Sequence, residues 1–226
     1  MKEKTAIAGG ILIYVLITIA LCTGRAEWFD DMVRFPVYAL RDSAAAPVLK
    51  VVSVVLHYLV SWKVIVPVCI VLLLIKKTRI IYGIPVSAAA LAVTMFNKTV
   101  KSIVMRPRPD DIVHLVSEGG WSYSSGHSIT SMCLCVVLIW IVLRRYRQGA
   151  MKKTAAISLT VCISLVLVLT GPSRIFLGVH YPTDVLAGWA AGLAAAAATI
   201  LIIKGRSPWS LERHVSGSSV EEDALR

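Results

Sequence analysis

The sequence predicts an all-α fold, a bundle of six membrane-spanning helices with an interfacial amphipathic segment between spans one and two. Three observations predict it. Hydrophobic residues make up 57% of 226 positions, more apolar surface than one soluble domain of that length can bury. They fall in runs of approximately Ala6–Thr23, Tyr58–Ile75, Ile80–Phe96, Ser128–Leu143, Ala155–Thr170 and Val185–Ile203, each near the roughly 17–25 residues a helix needs to cross hydrocarbon. Lys and Arg gather in alternate connections, as in multi-pass proteins. Helices are required because lipid offers no partners for unpaired backbone groups.

The first run lies where a signal peptide would, but it is long for a signal core and lacks a small-x-small exit before Arg25, so it reads as an uncleaved span. In Ala26–Leu56, Trp28, Phe29, Met32, Val33, Phe35, Val37 and Tyr38 interleave with Asp30, Asp31, Arg34 and Arg41, the pattern of one or two helices lying on the outer surface. His57 is expected at that interface, and Lys63 is expected to snorkel out of span two. Pro107 and Pro109 bar span three from continuing. Between them Arg106 reads as an outer charge near headgroups. The alanine run Ala190–Ala198 in span six allows close packing. Cys22, Cys69, Cys133, Cys135 and Cys162 lie in apolar runs and read as small core residues. Residues 1–206 are expected to form one integral membrane domain. Residues 207–226, acidic at Glu221, Glu222 and Asp223, read as a disordered cytoplasmic tail.

The net charge of +11 would suggest nucleic acid in a soluble protein, but these cations flank apolar runs and read as topology signals instead. Lys2 and Lys4; Lys76, Lys77 and Arg79; Arg144, Arg145, Arg147, Lys152 and Lys153; and Lys204 and Arg206 share one side if there are six spans. That side is the cytoplasm, which places both termini inside.

Three polar segments interrupt the apolar chain on the opposite side: Lys101-x6-Arg108-Pro109, Ser125-Gly126-His127, and Ser173-Arg174-x5-His180-x3-Asp184. Lys101, Arg108 and Arg174 can hold an anion. Gly126 lets backbone approach that anion, and Ser125 adds a hydroxyl at a helix start. Four residues apart, Asp184 can accept one imidazole N–H of His180 and leave the other nitrogen free to attack. His127 is suited to acid–base work.

These motifs, in this order and spacing, resemble the type 2 phosphatidic acid phosphatase family of membrane lipid phosphatases, whose site is shared with soluble vanadium haloperoxidases and bacterial acid phosphatases. The resemblance covers roughly residues 55–200. It departs at Ser124, where the family usually has proline. It implies His180 as nucleophile through a phosphohistidine, Asp184 as the partner that orients His180, His127 as general acid, and Lys101, Arg108, Ser125, Gly126 and Arg174 as phosphate-binding groups. No metal or other cofactor is expected, since the cations supply the electrostatics. A cage from Asp110, Asp111 and His114 is the alternative. The implied substrate is a lipid phosphate on the outer leaflet of a bacterial plasma membrane: undecaprenyl diphosphate, phosphatidylglycerol phosphate, phosphatidic acid or diacylglycerol pyrophosphate. A phosphotransferase would carry the same site. A non-enzymatic lipid-binding or transport protein would share the spans but not the gathered histidines and cations.

Overall fold

The computed structural model describes residues 1–76 and 78–205, whose regular elements are all helical, with no strand among them. The helices are α1 (Lys2–Cys22), α2 (Glu27–Ala39), α3 (Ala46–Leu59), α4 (Trp62–Leu74), α5 (Ile84–Val104), α6 (Gly126–Arg147), α7 (Lys153–Phe176) and α8 (Pro182–Gly205). A π-helical turn, Arg79–Gly83, leads directly into α5. Five helical segments are long and apolar enough to cross a membrane, or six if α3 and α4, bent by 44° at their junction, make one span. The expected tail, 207–226, and Lys77 and Arg206 of the basic clusters lie outside the described residues.

α8 forms the axis. Its buried face carries Ala187, Ala194, Ala196 and Ala197, and these small side chains admit neighbouring helices at short range. Val86, Val137, Ala196, Ile200 and Ile203 make one buried cluster, and Val93, Ile129 and Cys133 make another. The outer faces are apolar too: Ile11, Leu16, Val51, Val55, Leu91, Val161 and Val168 are exposed, as on a lipid-facing surface.

Lys204 pairs with Glu3, and Lys204 and Arg144 lie over the Trp140 ring, so α1, α6 and α8 bring one set of their ends together. The opposite ends hold Lys101, His127, Arg174 and Asp184. The basic turns and the motif residues therefore occupy opposite ends of the bundle.

Three expectations change in detail. The apolar run Tyr58–Ile75 is not one straight helix: α3 ends at Leu59, and α4 begins after an extended Ser61. The stretch Ala26–Leu56 divides into α2, a 3-10 turn at Leu40–Asp42 and most of α3. α2 exposes Trp28, Met32 and Phe35 yet buries Asp30, the reverse of a soluble helix. α7 runs on to Phe176 rather than ending near Thr170, carrying Arg174 in its last turn.

Candidate active site

The site forms where α5, α6, α7 and α8 end, closed over by the 105–125 loop and by α2 and α3. Pro182 opens α8 as a first-turn residue, placing His180 just ahead of the helix and Asp184 inside its first turn. His180 Nδ1 lies 3.3 Å from Asp184 Oδ2. The same oxygen accepts the Tyr181 N–H at 3.0 Å and the Ser122 hydroxyl. With Nδ1–H directed at the carboxylate, Nε2 of His180 keeps its lone pair, 3.4 Å from Arg108 Nη1. Burial pushes the His180 imidazole down to about 3, against the pull of Asp184, so the ring is neutral at ordinary pH.

Arg108 lies in the irregular segment beyond α5, with Nε and Nη2 donating to the carbonyls of Gly120 (3.1 Å) and Gly119 (2.9 Å), and Nη1 to that of Val179 (2.6 Å). α5 stops at Val104 because Met105 turns left-handed and Pro107 follows. Lys101, in the last turn of α5, donates to the carbonyls of Trp121 and Ser122, thereby fixing the segment that presents Ser122 to Asp184. Ser125 caps α6, and its own N–H donates to the Asp184 carbonyl at 3.1 Å, so the two motif turns are bonded to each other. A side chain at Gly126 would meet the Asn97 amide at 3.0 Å.

His127 Nε2 lies 3.0 Å from the His57 carbonyl, and the His127 and His57 rings stack with centroids 5.0 Å apart. An Nε2–H donated to that carbonyl leaves Nδ1 facing the site. Arg174 is fully buried, with Nη1 2.9 Å from His57 Nδ1 and Nη2 donating to Glu118 Oε1.

Glu118 marks the centre of an anion pocket. Its Oε1 lies 3.5 Å from His57 Nδ1 and 3.9 Å from His127 Nδ1, and Oε2 lies 3.8 Å from Arg108 Nη2. Burial would raise its carboxyl, but Arg174, then His180 and Arg108, outweigh burial and hold it below the usual carboxylate value. A carboxylate thus sits where two guanidinium groups and two imidazoles converge.

Of the residues expected from sequence, the structure gathers His127, Arg108 and Arg174 around Glu118, and His180, Asp184 and Arg108 beside them. Lys101 and Ser125 support the site through backbone contacts instead. Arg106 is corrected. Far from being an outer charge, it is largely enclosed and bonded to Asp184 and Asp30, because a guanidinium so placed neutralises two carboxylates that could not otherwise be buried. Burial acts against its charge, but Asp184 and Asp30 outweigh it and raise its pKa. His57 lies in the pocket, against Arg174, Glu118 and His127. Lys63, by contrast, is exposed in the first turn of α4.

The Asp110, Asp111 and His114 cage does not form among the described residues. Asp111 pairs with Arg34 at 2.7 Å, and His114 Nε2 lies 2.7 Å from the Pro109 carbonyl. His57, Glu118 and His127 do place ligating atoms within 4.8 Å of one another. Arg174 already bonds the Glu118 and His57 atoms, so a divalent ion would have to displace a buried guanidinium. Glu118, His57, Ser122 and Asp30 are not legible as site residues in the sequence, since none lies in a spaced motif.

An oxyanion pocket beside a neutral, aspartate-backed histidine, built on the ends of membrane-length helices, defines a class: membrane proteins that handle phosphate-like groups at the lipid boundary. The PAP2 superfamily model matches residues 82–208, more than half of the chain and inclusive of every motif residue, and the chain belongs to that superfamily. The resemblance drawn from the motifs is borne out. Over 99 residues the chain is 34% identical to phosphatidylglycerophosphatase B of Bacillus subtilis (strain 168), covering 44% of this chain and 47% of that protein. The match therefore spans about half the length of this curated relative. The crystal structure of a transmembrane PAP2 type phosphatidylglycerolphosphate phosphatase from Bacillus subtilis superposes with TM-score 0.76 at 22% identity, covering 89% of this chain and 98% of the other. That of Aquifex aeolicus LpxE gives 0.56 at 24% identity, covering 74% and 93%. At such identities these two show a shared fold.

Proposed function

We propose that the protein hydrolyses a lipid phosphate or diphosphate at the outer face of a bacterial plasma membrane, without metal, through a phosphohistidine. The observation that carries this is the placement of His180 Nε2 3.4 Å from Arg108, whose other terminal nitrogen borders the pocket already holding a carboxylate. A phosphoryl group bound in place of that carboxylate lies between a free imidazole lone pair and the Arg108 and Arg174 forks.

His127 takes a proton onto Nδ1 from the bound phosphate monoanion while its Nε2–H stays on the His57 carbonyl; His180 Nε2 then attacks phosphorus as the bond to the leaving oxygen breaks, and His127 Nδ1 passes that proton to the leaving oxygen. Water then attacks the phosphohistidine, His127 takes a proton from it, and His180 departs as the neutral ring. Asp184 offsets the imidazolium charge in the intermediate. An apolar groove of about 450 Å³, lined by residues including Ile11, Val93, Phe96, Ile129 and Ala194, supports a lipid substrate. Phe96 and Ile129 bring it within about two helical turns of Lys101 and His127.

The arginines already supply the charge that a metal would bring. Turnover is therefore expected to persist in excess EDTA, with vanadate inhibiting competitively because it can adopt the trigonal-bipyramidal shape of the transition state. Loss on chelation with recovery on added magnesium would show the opposite.

The basic turns point to a cytoplasmic location for the end of the bundle opposite the site. A cysteine at exposed Ser117 is then expected to react with a membrane-impermeant thiol reagent in intact cells, and one at exposed Gln148 is not. The reverse labelling would move the chemistry to the inner leaflet. An outer site favours a lipid whose phosphate is presented there, undecaprenyl diphosphate above all. The name of the Bacillus relative supports phosphatidylglycerol phosphate as a second candidate. Phosphate release from a panel of these lipids by purified protein tests the reading; no release from any of them would reject it.

A further inference from the structure

Asp184 turns only one carboxylate oxygen to His180. The other, Oδ1, accepts Arg106 Nη1 at 2.8 Å. Arg106 Nη1 also donates to the Thr183 hydroxyl at 2.8 Å, and Nη2 reaches Asp30 Oδ2 at 2.6 Å. Asp30 comes from α2, remote in sequence, and accepts both the Thr183 N–H and the Thr183 hydroxyl at 2.8 Å. The Tyr181 ring lies 3.7 Å from Arg106 Cζ. The group is shut off from water: side-chain exposure is 2% for Asp30, 0% for Asp184 and 10% for Arg106.

A carboxylate turns about a broad, roughly two-fold torsion, so a bond to one oxygen alone leaves its plane loose. Here both oxygens are held, Oδ2 by Ser122 and Tyr181 and Oδ1 by a guanidinium that Asp30 in turn anchors. The arrangement matches the rule that orienting carboxylates are themselves oriented by an outer layer of bonds. Asp30 also accepts the Thr183 N–H in the first turn of α8, where an acid interacts well with the helix dipole. None of the polar partners described for Arg106 belongs to the Glu118 pocket, so phosphate binding does not account for it.

We propose that Asp30 and Arg106 are a positioning pair for the nucleophile: Arg106 locks the Asp184 plane so that Oδ2 faces His180, and Asp30 holds Arg106 and the start of α8 in register. The proposal rests on the hydrolase reading. Arg106 and Asp30 act through Asp184 and do not touch the reacting phosphate.

The test is a double-mutant cycle on kcat and KM for phosphatidic acid in detergent, with Arg106→Gln, Arg106→Lys and Asp30→Asn each made in the native and the Asp184→Asn background. Arg106→Gln is expected to lower kcat by ~30-fold or more while KM changes by less than ~3-fold, and its effect is expected to shrink below ~3-fold once Asp184 is Asn. Arg106→Lys, which keeps the charge but not the fork, is expected to recover part of the loss. An equal loss in both backgrounds would mean a purely structural role and would overturn the proposal, as would an unchanged kcat. If Arg106→Gln does not fold, the isosteric Asp30→Asn cycle decides by the same criterion. An active native protein indifferent to these changes rejects the pair alone, whereas a native protein that releases no phosphate from any lipid rejects the hydrolase reading along with it.

Discussion

Replacing His180 with alanine is expected to cut turnover by about 10⁴-fold or more, the cost of deleting a covalent nucleophile. The expectation follows from geometry. Nε2 is the one nitrogen of His180 left free by Asp184, and it faces Arg108 at 3.4 Å. Burial keeps the ring neutral, so its Nε2 lone pair needs no base to free it. Phosphate release by the purified, folded variant is the measurement. A rate near that of the native protein would remove His180 from the role. Trapping of labelled phosphate on the native protein, but not on the variant, would support the covalent route independently.

Replacing His127 with alanine is expected to be costly in a manner that depends on the substrate. A general acid contributes about 10²–10⁴-fold, and less where the leaving group departs as a stable anion. The contact of Nε2 with the His57 carbonyl at 3.0 Å fixes the ring and commits Nδ1 to proton transfer. The loss with an alkyl phosphate should therefore exceed the loss with p-nitrophenyl phosphate by an order of magnitude. Equal losses would show that His127 binds phosphate without protonating the leaving oxygen.

The sequence revealed the parts of the site whose constraints are local. His180 and Asp184 are four apart across a proline that opens a helix, and Ser125, Gly126 and His127 start another. Such spacings survive any arrangement of the remaining chain. Asp30, His57 and Glu118 were not legible, because each enters from a distant segment in which a charged or polar residue is also consistent with water. Asp30 stands among Asp31 and Arg34 on an amphipathic helix, and only packing against Thr183 separates it from them. Arg106 was misread for the same reason: its neutralising carboxylates come from α2 and α8. The α3–α4 break also left no trace, since Val60-Ser61-Trp62 lacks glycine and proline, while Pro67 lies inside α4. α7 extends past the apolar run to Phe176, and Glu118 lets Arg174 remain buried in its last turn.

The contact between α6 and α8 has a consequence for the chemistry above it. A side-chain carbon at Gly188 would lie 2.8 Å from the Ser125 carbonyl, and one at Gly192 would lie 2.5 Å from that of Ile129. The two helices touch backbone to backbone along this seam, with His127 in the first turn of α6 and His180 just ahead of α8. The gap that a phosphorus atom would bridge between the proposed acid and nucleophile is thus gauged by atoms that are missing, roughly two and three turns beyond His180. A methyl group added at Gly188 would act as a shim, prising the two imidazoles apart without altering either one.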